Sequence, residues 1–359
     1  MQRAAPTARP HLAFSATDKK NTPAEIYAGP ARAAMTAGRG HGNLVAMRHI
    51  VTENRPMKHA ALTAALVLAA ATAASAQSNN LYTRGSVQYD YLSSNGSDVS
   101  FAYADLAIGF GFGGGSSLPM GFELGVLGIA SDSGGPFDNR AALFPTFWVD
   151  TSVGRFSVGA PRSAVGSAIQ IPRFGGSRYL SLIFGEAIGV TDFVQVYGEA
   201  HSYGARFDGF IGGFDAGLSV HQFTGSASDA TSVTGYFGRD YGALDFAVGF
   251  EAINTGSTDL RNYLAQVGYD AGQFGGHLTL VDANLSSDLL VLVDAFYKPL
   301  DWLTLNAGYG TAGSSDDFYS VNAEVSFLKN GYAGVGYLDG FGGGGNGVTS
   351  AYVGWKLNY

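Results

Sequence analysis

The chain has 359 residues, 52 of them glycine and none cysteine, with 46% hydrophobic, 13% aromatic and only 14% charged residues. So little charge beside so much glycine and aromatic surface is foreign to a helical cytosolic enzyme, and the lack of cysteine excludes disulfides, zinc–thiolate sites and thiol catalysis. Residues 1–76 carry nine Lys/Arg against three Asp/Glu, whereas residues 77–359 carry 12 against 26, a net of −14; an acidic body with no basic patch argues against nucleic acid as a partner.

Residues 1–56 are rich in Ala, Arg, Thr and Pro, show no sustained period of 3.6 or 2, and read as a disordered or mis-assigned extension. MKHAALTAALVLAAATAASAQ follows at 57–77. Its uncharged stretch, 60–74, spans 15 residues, short of the roughly 20 that a membrane helix needs. Lys58 and His59 form a basic start, and Ala74-Ser75-Ala76 offers a small-x-small cleavage site, so 57–76 is expected to be a signal peptide cut after Ala76. Met57 is then the expected true start.

From Gln77 onward the dominant period is 2. In LYTRGSVQYDY, Arg84, Ser86, Gln88 and Asp90 alternate with Val87, Tyr89 and Tyr91. GALDFAVGFE sets Asp245 and Glu251 opposite Leu244, Phe246, Val248 and Phe250. FYSVNAEVSF sets Ser320, Asn322, Glu324 and Ser326 against Tyr319, Val321, Ala323, Val325 and Phe327. SAYVGWKLNY places Ala351, Val353, Trp355, Leu357 and Tyr359 on one face and Lys356 on the other. A soluble sandwich also alternates, but its dry interior could not hold the unpaired charges Arg84, Asp90, Glu199, Asp245, Glu251, Glu324 and Lys356. A transmembrane barrel can, because its polar face meets a wet lumen. Strand-like runs of about 9–11 residues and aromatic residues at their ends fit the same architecture.

Short turns are expected at 153–154, 212–215, 240–242, 269–272, 298–301 and 329–331. Longer polar or Gly-rich loops are expected at 92–98, 130–141, 224–230, 252–258, 312–316 and 339–347. The alternation matches a barrel with short turns at one end and loops at the other. The expected fold is therefore all-β, a transmembrane antiparallel barrel over residues 77–359 with 16 strands. Eighteen is the alternative, because turns in 190–216 are hard to separate.

These features, with the aromatic terminal strand Trp355-x-Leu357-x-Tyr359, resemble the general diffusion porins of the Gram-negative outer membrane across essentially all of 77–359. That ending is similar to the strand read by barrel-assembly machinery. The stretch VGRFSVGAPRSAVGSAIQIPRFGGSRYLSLIFGEAIGV, 153–190, contains the fifth strand by count, from Arg155 to Ala160. The resemblance implies that the loop after it, about 161–178, folds into the lumen and narrows the pore. Arg162, Arg173, Arg178 and Glu186 are then the candidate constriction residues, and Arg84, Asp90, Arg155, Glu199, Asp245, Glu251 and Glu324 the candidate wall charges. Constriction loops of such porins are often acidic and face arginines; here the loop carries the arginines, so the transverse field would be reversed. Each loop arginine either meets solute or pins the loop to wall carboxylates. The resemblance further implies a homotrimer in outer-membrane lipid.

The expected function is passive passage of small hydrophilic solutes and ions, with no cofactor, metal or energy source, and selectivity from lumen width and charge. A substrate-selective channel is the nearest alternative; Tyr82, Tyr197 and Tyr352 are too few to form an aromatic slide. Structural or adhesive barrels and barrel enzymes are further ones. His201, His221 and His277 sit in no catalytic motif and GxSxG is absent. GFGFGGGSS at 109–117 lacks the GK[ST] of a phosphate loop and reads as a turn; GFGGGGNG at 340–347 reads as a loop.

Overall fold

The computed structural model describes residues 81–358 except for 95–96, 115–116, 133–139, 170, 182–189, 198–200, 225–228, 255–258, 284–288, 313–316 and 341–346. The extension, the leader, Glu186, Glu199 and Tyr359 lie outside the described residues, as does the side chain of Tyr197. Sixteen strands follow one another: β1 Leu81–Ser94, β2 Ser97–Gly114, β3 Ser117–Ser131, β4 Arg140–Thr151, β5 Gly154–Gly159, β6 His201–Ile211, β7 Phe214–Thr224 and β8 Ala230–Tyr241. Then come β9 Leu244–Asn254, β10 Asp259–Asp270, β11 Phe274–Ala283, β12 Leu290–Leu300, β13 Leu303–Ala312, β14 Phe318–Phe327, β15 Gly331–Asp339 and β16 Val348–Asn358. Each pairs antiparallel with its sequence neighbours, and β1 closes on β16 from Arg84↔Asn358 to Ser93↔Thr349. Closure leaves no first or last edge strand. The strand number is 16. Within 190–216, the region of uncertain turns, residues 190–197 form a helix instead of a strand and His201–Ile211 is β6.

The turns predicted to be short all lie at one end of the barrel and the predicted loops at the other. The 92–98 segment is tighter than expected, since β1 runs to Ser94 and β2 starts at Ser97. The connection 284–289 between β11 and β12 was not anticipated.

Period 2 becomes inside and outside. On β10, Tyr263 and Val267 are 55% and 52% exposed, whereas Asn262 and Gln266, each one residue before them, are 1% and 5% exposed. The outer face is aliphatic at mid-height, with Val248, Leu278, Val293, Val335 and Val353 exposed. It is aromatic at both ends: Tyr91, Tyr203, Tyr263, Tyr309, Tyr319 and Tyr337 toward the loops, and Phe112, Phe156, Tyr269, Phe274, Tyr297 and Phe327 toward the turns. On β2–β4 the loop half of this face is instead flat, with Ala102, Ala104, Gly128, Ala130 and Ala141 in register. Near the turn end Val87, Leu106 and Leu357 pack together with Trp355 across the closure, so the terminal strand is fastened by apolar contact as well as by its ladder.

One strand is cut short, and that positions everything inside. β5 stops at Gly159, opposite Thr146, and Gly159 has φ +115° with no room for a Cβ beside the Pro145 carbonyl. Only glycine turns the chain inward there at no steric cost. Above that point β4 and β6 have no strand between them. Pro145, which has no N–H to satisfy, occupies the gap, and the Leu143 carbonyl accepts a hydrogen bond from Gln195 Nε2 at 2.7 Å. The described part of the connection between β5 and β6 therefore replaces wall and fills lumen at once.

Candidate functional site: the inward connection and the lumen beneath it

The connection begins Pro161-Arg162 and forms a short helix, α1, over Ala164–Ala168. Ser163 caps it, accepting from Gly166 N–H at 3.2 Å. The wall completes the cap, because Ala164 N–H points at Ser219 Oγ (3.1 Å) and Thr234 Oγ1 (3.0 Å) on β7 and β8. His221 Nε2 meets the Pro161 carbonyl at 2.9 Å, and Arg206 Nη1 donates to the carbonyls of Arg162 and Ser163 at 3.2 and 3.0 Å. The buried start of α1 thus finds partners for its end groups in wall hydroxyls and one arginine.

The chain next crosses to the far side. A 3-10 turn at Phe174–Gly176 packs on β13–β16, with Phe174 edge-on to Phe318 at 4.9 Å. The Gly175 carbonyl accepts from Ser350 Oγ and the Gly176 carbonyl from Gln88 Nε2 at 3.0 Å. Gly176 has φ +74°, and a Cβ there would overlap the Tyr352 ring. A helical turn starts at Arg178. Its leading groups converge on Asp90 Oδ2: Ser177 Oγ at 2.8 Å, Arg178 N–H at 2.8 Å and Tyr179 N–H at 3.1 Å.

The return segment enters helix α2, Val190–Tyr197. Thr191 donates its N–H to Glu251 Oε1 at 2.7 Å and its hydroxyl to the same oxygen; Asn262 Nδ2 reaches Oε2 at 3.0 Å. Apolar side chains of the connection, Val165, Ile169, Phe174, Leu180 and Val196, meet the inward side chains of the loop half of the wall, including Phe101, Phe144, Leu264, Leu292, Phe318 and Leu338. A hydrophobic core therefore lies inside the barrel mouth.

Among the residues singled out from sequence, Arg162 bridges two elements. Its Nη1 is 3.0 Å from Asp105 on β2 and its Nε 3.0 Å from Asp192 on α2, and its guanidinium lies over the Phe144 ring at 4.6 Å. Burial by itself would raise the Asp192 carboxyl, but Arg162 and the Ser163 N–H (2.8 Å) outweigh it and hold the group below its usual range. Burial pulls the Arg162 guanidinium down less than Asp105 and Asp192 lift it, so it stays charged. Arg173 pairs with Glu324 at 3.1 Å and lies over Tyr332, and Arg178 lies over Tyr103. On the wall, Arg84 pairs with Glu123 at 2.8 Å; Arg155 pairs with Asp150 at 2.6 Å and lies 4.1 Å over Trp148. Asp245 faces the lumen beside Gly268.

Asp90 and Glu251, expected as charges facing the pore, are 0% and 1% exposed. Each serves the connection's backbone instead, because a buried carboxylate is tolerable only where donors converge on it. Period 2 correctly turned both inward, but it carries no record of what would cover them. Reading by sequence missed Asp105, Asp192, Arg206 and Asp208, which complete the charged cluster. No motif marks them; Arg206 and Asp208 pair on one face of β6, but Asp105 and Asp192 meet only through Arg162 of the crossing. Tyr82 and Tyr352 do point inward, to Glu123 (2.9 Å) and Glu324 (3.3 Å). His277 pairs with Asp294 at 3.1 Å.

Beneath the connection, against β1–β6, lies a cavity of about 540 Å³. Its charged lining is Arg84, Arg155, Arg162 and Arg206 with Asp105, Glu123, Asp192 and Asp208, and Trp148 forms part of the wall. A smaller space of about 80 Å³ lies across the barrel by Arg173, Asp294 and Asn306.

No known protein-family pattern matches the chain. No curated protein sequence does either. Solved structures do match by shape. A triple mutant of Rhodopseudomonas blastica porin superposes with a TM-score of 0.56 at 15% identity, covering 77% of this chain and all of the other. A second triple mutant of that porin gives 0.56 at 14%, with the same coverage. A structure described under asymmetric conductivity of engineered proteins gives 0.55 at 13%, again covering 77% and 100%. The barrel fold is shared with these porins.

Proposed function

We propose that this protein is an outer-membrane porin, a water-filled channel through which small hydrophilic solutes and ions pass by diffusion. The observation that carries this is the inversion of polarity around a closed wall: aliphatic and aromatic side chains outside, paired charges inside. Such a wall is stable with lipid outside and water within, and the shared fold of the porin structures supports it. In this reading the two aromatic belts sit at the membrane interfaces. The short turns face the periplasm and the loops the exterior. The inward connection sets the bore. Arg162, Arg173 and Arg178 act there chiefly as ties, with Arg162 the one whose pairing spans the cavity roof.

Residues 57–76 supply the export signal, and the Trp355-x-Leu357-x-Tyr359 strand is the segment offered to barrel-assembly machinery. The flat Ala/Gly area on β2–β4, where other strands carry tyrosine, supports packing against further copies in a homotrimer, since small side chains let backbones approach. A channel needs no catalytic group or cofactor. Purified protein in a planar bilayer is expected to give ohmic openings that arrive in threes. Absence of any conductance would return the choice to an enzymatic or structural barrel.

A further inference from the structure

Resting on the porin reading, we propose that the cavity beneath the connection favours zwitterionic solutes, molecules such as amino acids and short peptides that carry one carboxylate and one ammonium. Residues 77–359 as a whole have 26 acidic against 12 basic side chains. The cavity departs from that balance, with four arginines and four carboxylates. They are not segregated onto facing walls. Each arginine already touches an acid: Arg84 with Glu123 at 2.8 Å, Arg206 with Asp208 at 2.6 Å, and Arg162 with both Asp105 and Asp192 at 3.0 Å. Arg155 takes Asp150, just outside the lining, at 2.6 Å.

A lining of closed pairs discriminates by what a visitor can return. A lone anion that engages an arginine strips its carboxylate of a partner, and a lone cation does the converse. That loss is not recovered where the stripped partner meets little water, as for Glu123 with 14% of its side chain exposed. A zwitterion opens a pair and rejoins both halves, its carboxylate on the guanidinium and its ammonium on the acid. A neutral solute opens none and gains none. Two pairs are fit for this exchange. Arg84 has 61% of its side chain exposed while Glu123 is anchored by Tyr82, and Arg155 rests on the Trp148 ring beside the open space. The volume of about 540 Å³ admits molecules of that size together with water.

The test is liposome swelling with four small solutes of similar bulk: diglycine (zwitterion), acetylglycinate (anion), glycinamide (cation) and acetylglycinamide (neutral). The wild-type protein is expected to pass diglycine fastest, at least twofold faster than acetylglycinamide. The double variant Arg84→Gln with Glu123→Gln, its barrel integrity checked by heat-modifiable gel mobility, should pass the two at equal rates. Equal rates for diglycine and acetylglycinamide in the wild type overturn the inference whether or not the variant folds. So does a preference unchanged in a folded double variant. Swelling with none of the four overturns the porin reading, and this inference with it, which separates the two failures.

Discussion

The inward connection is fastened at two opposite places, and the fastenings differ. On the β6–β10 side, α1 and α2 lie broadly on the wall. Val165, Ile169 and Val194 are packed there, and Glu251 works among Thr191, Ser232 and Asn262. On the side formed by β13–β16, β1 and β2, Phe174, Leu180 and Tyr179 pack among Phe101, Phe318 and Leu338, and Asp90 takes three donors from three consecutive residues. In both places a buried wall carboxylate meets the opening N–H groups of a helical segment, where a negative charge is favoured. The difference teaches that similar chemistry carries unequal shares of the anchoring, depending on how many backbone N–H groups rest on the carboxylate, two on Asp90 and one on Glu251.

The largest expected effect follows from Asp90→Ala. Leaving the Ser177, Arg178 and Tyr179 donors without their acceptor costs about 1–3 kcal/mol for each one that stays buried. The 177–179 segment should therefore leave the wall while the barrel stays closed. Single-channel conductance should rise, and limited proteolysis should cut within 161–189. An unchanged conductance would break the comparison at its strong end.

Glu251→Ala should be milder, because one backbone N–H of the connection, not two, loses its acceptor; a loss of roughly 1–3 kcal/mol of loop stability is expected. Denaturant titration of protease protection across 190–197 would measure it. A conductance change as large as that of Asp90→Ala would equalise the two fastenings and refute the distinction.

Arg162→Gln ranks third. Removing the bridge frees Asp105 and Asp192, so the reversal potential in a salt gradient should move toward cation preference. Its pH profile is the sharper measure. Asp192 is held below its usual range, so its contribution is complete above the ordinary aspartate pKa and is lost only as pH falls through the depressed one. The step in wild-type conductance that belongs to Asp192 should lie below about 4, the ordinary aspartate value. In Arg162→Gln, burial is left to act on Asp192, and the transition should move to higher pH.

The smallest effect is expected outside the barrel. Tyr309→Ala removes one aromatic ring from the loop-side belt, on the outer side of the wall from Phe174, and should change stability by no more than about 0.5 kcal/mol, as ordinary surface substitutions do. Conductance should not change.

How much of this was legible in sequence can be judged from single residues. The inward direction of Arg84, Asp90, Asp245, Glu251 and Glu324 was readable because side chains alternate across a strand without exception until a bulge intervenes. The strand count was recoverable to within two, and the doubt fell on 190–216 because VTDFVQVY is rich in β-branched residues that suit a strand as well as a buried helix. Ser163 was a legible cap only once α1 was known. Asp105 was readable as a polar break in a strand, but its partner Arg162 lies 57 residues away, and no local pattern spans such a distance.

Sequence alone determined that this protein is a barrel whose polarity is turned outward, because a period of 2 with charges on one face admits few other stable burials. Tertiary structure alone decided which of those charges meet water. A fifth strand of six residues releases the chain at Gly159, and the path it then takes buries Asp90 and Glu251 as ties while leaving the Arg84–Glu123 pair beside open space. Alternation is a property of neighbours along the chain, whereas burial is set by whatever crosses from elsewhere.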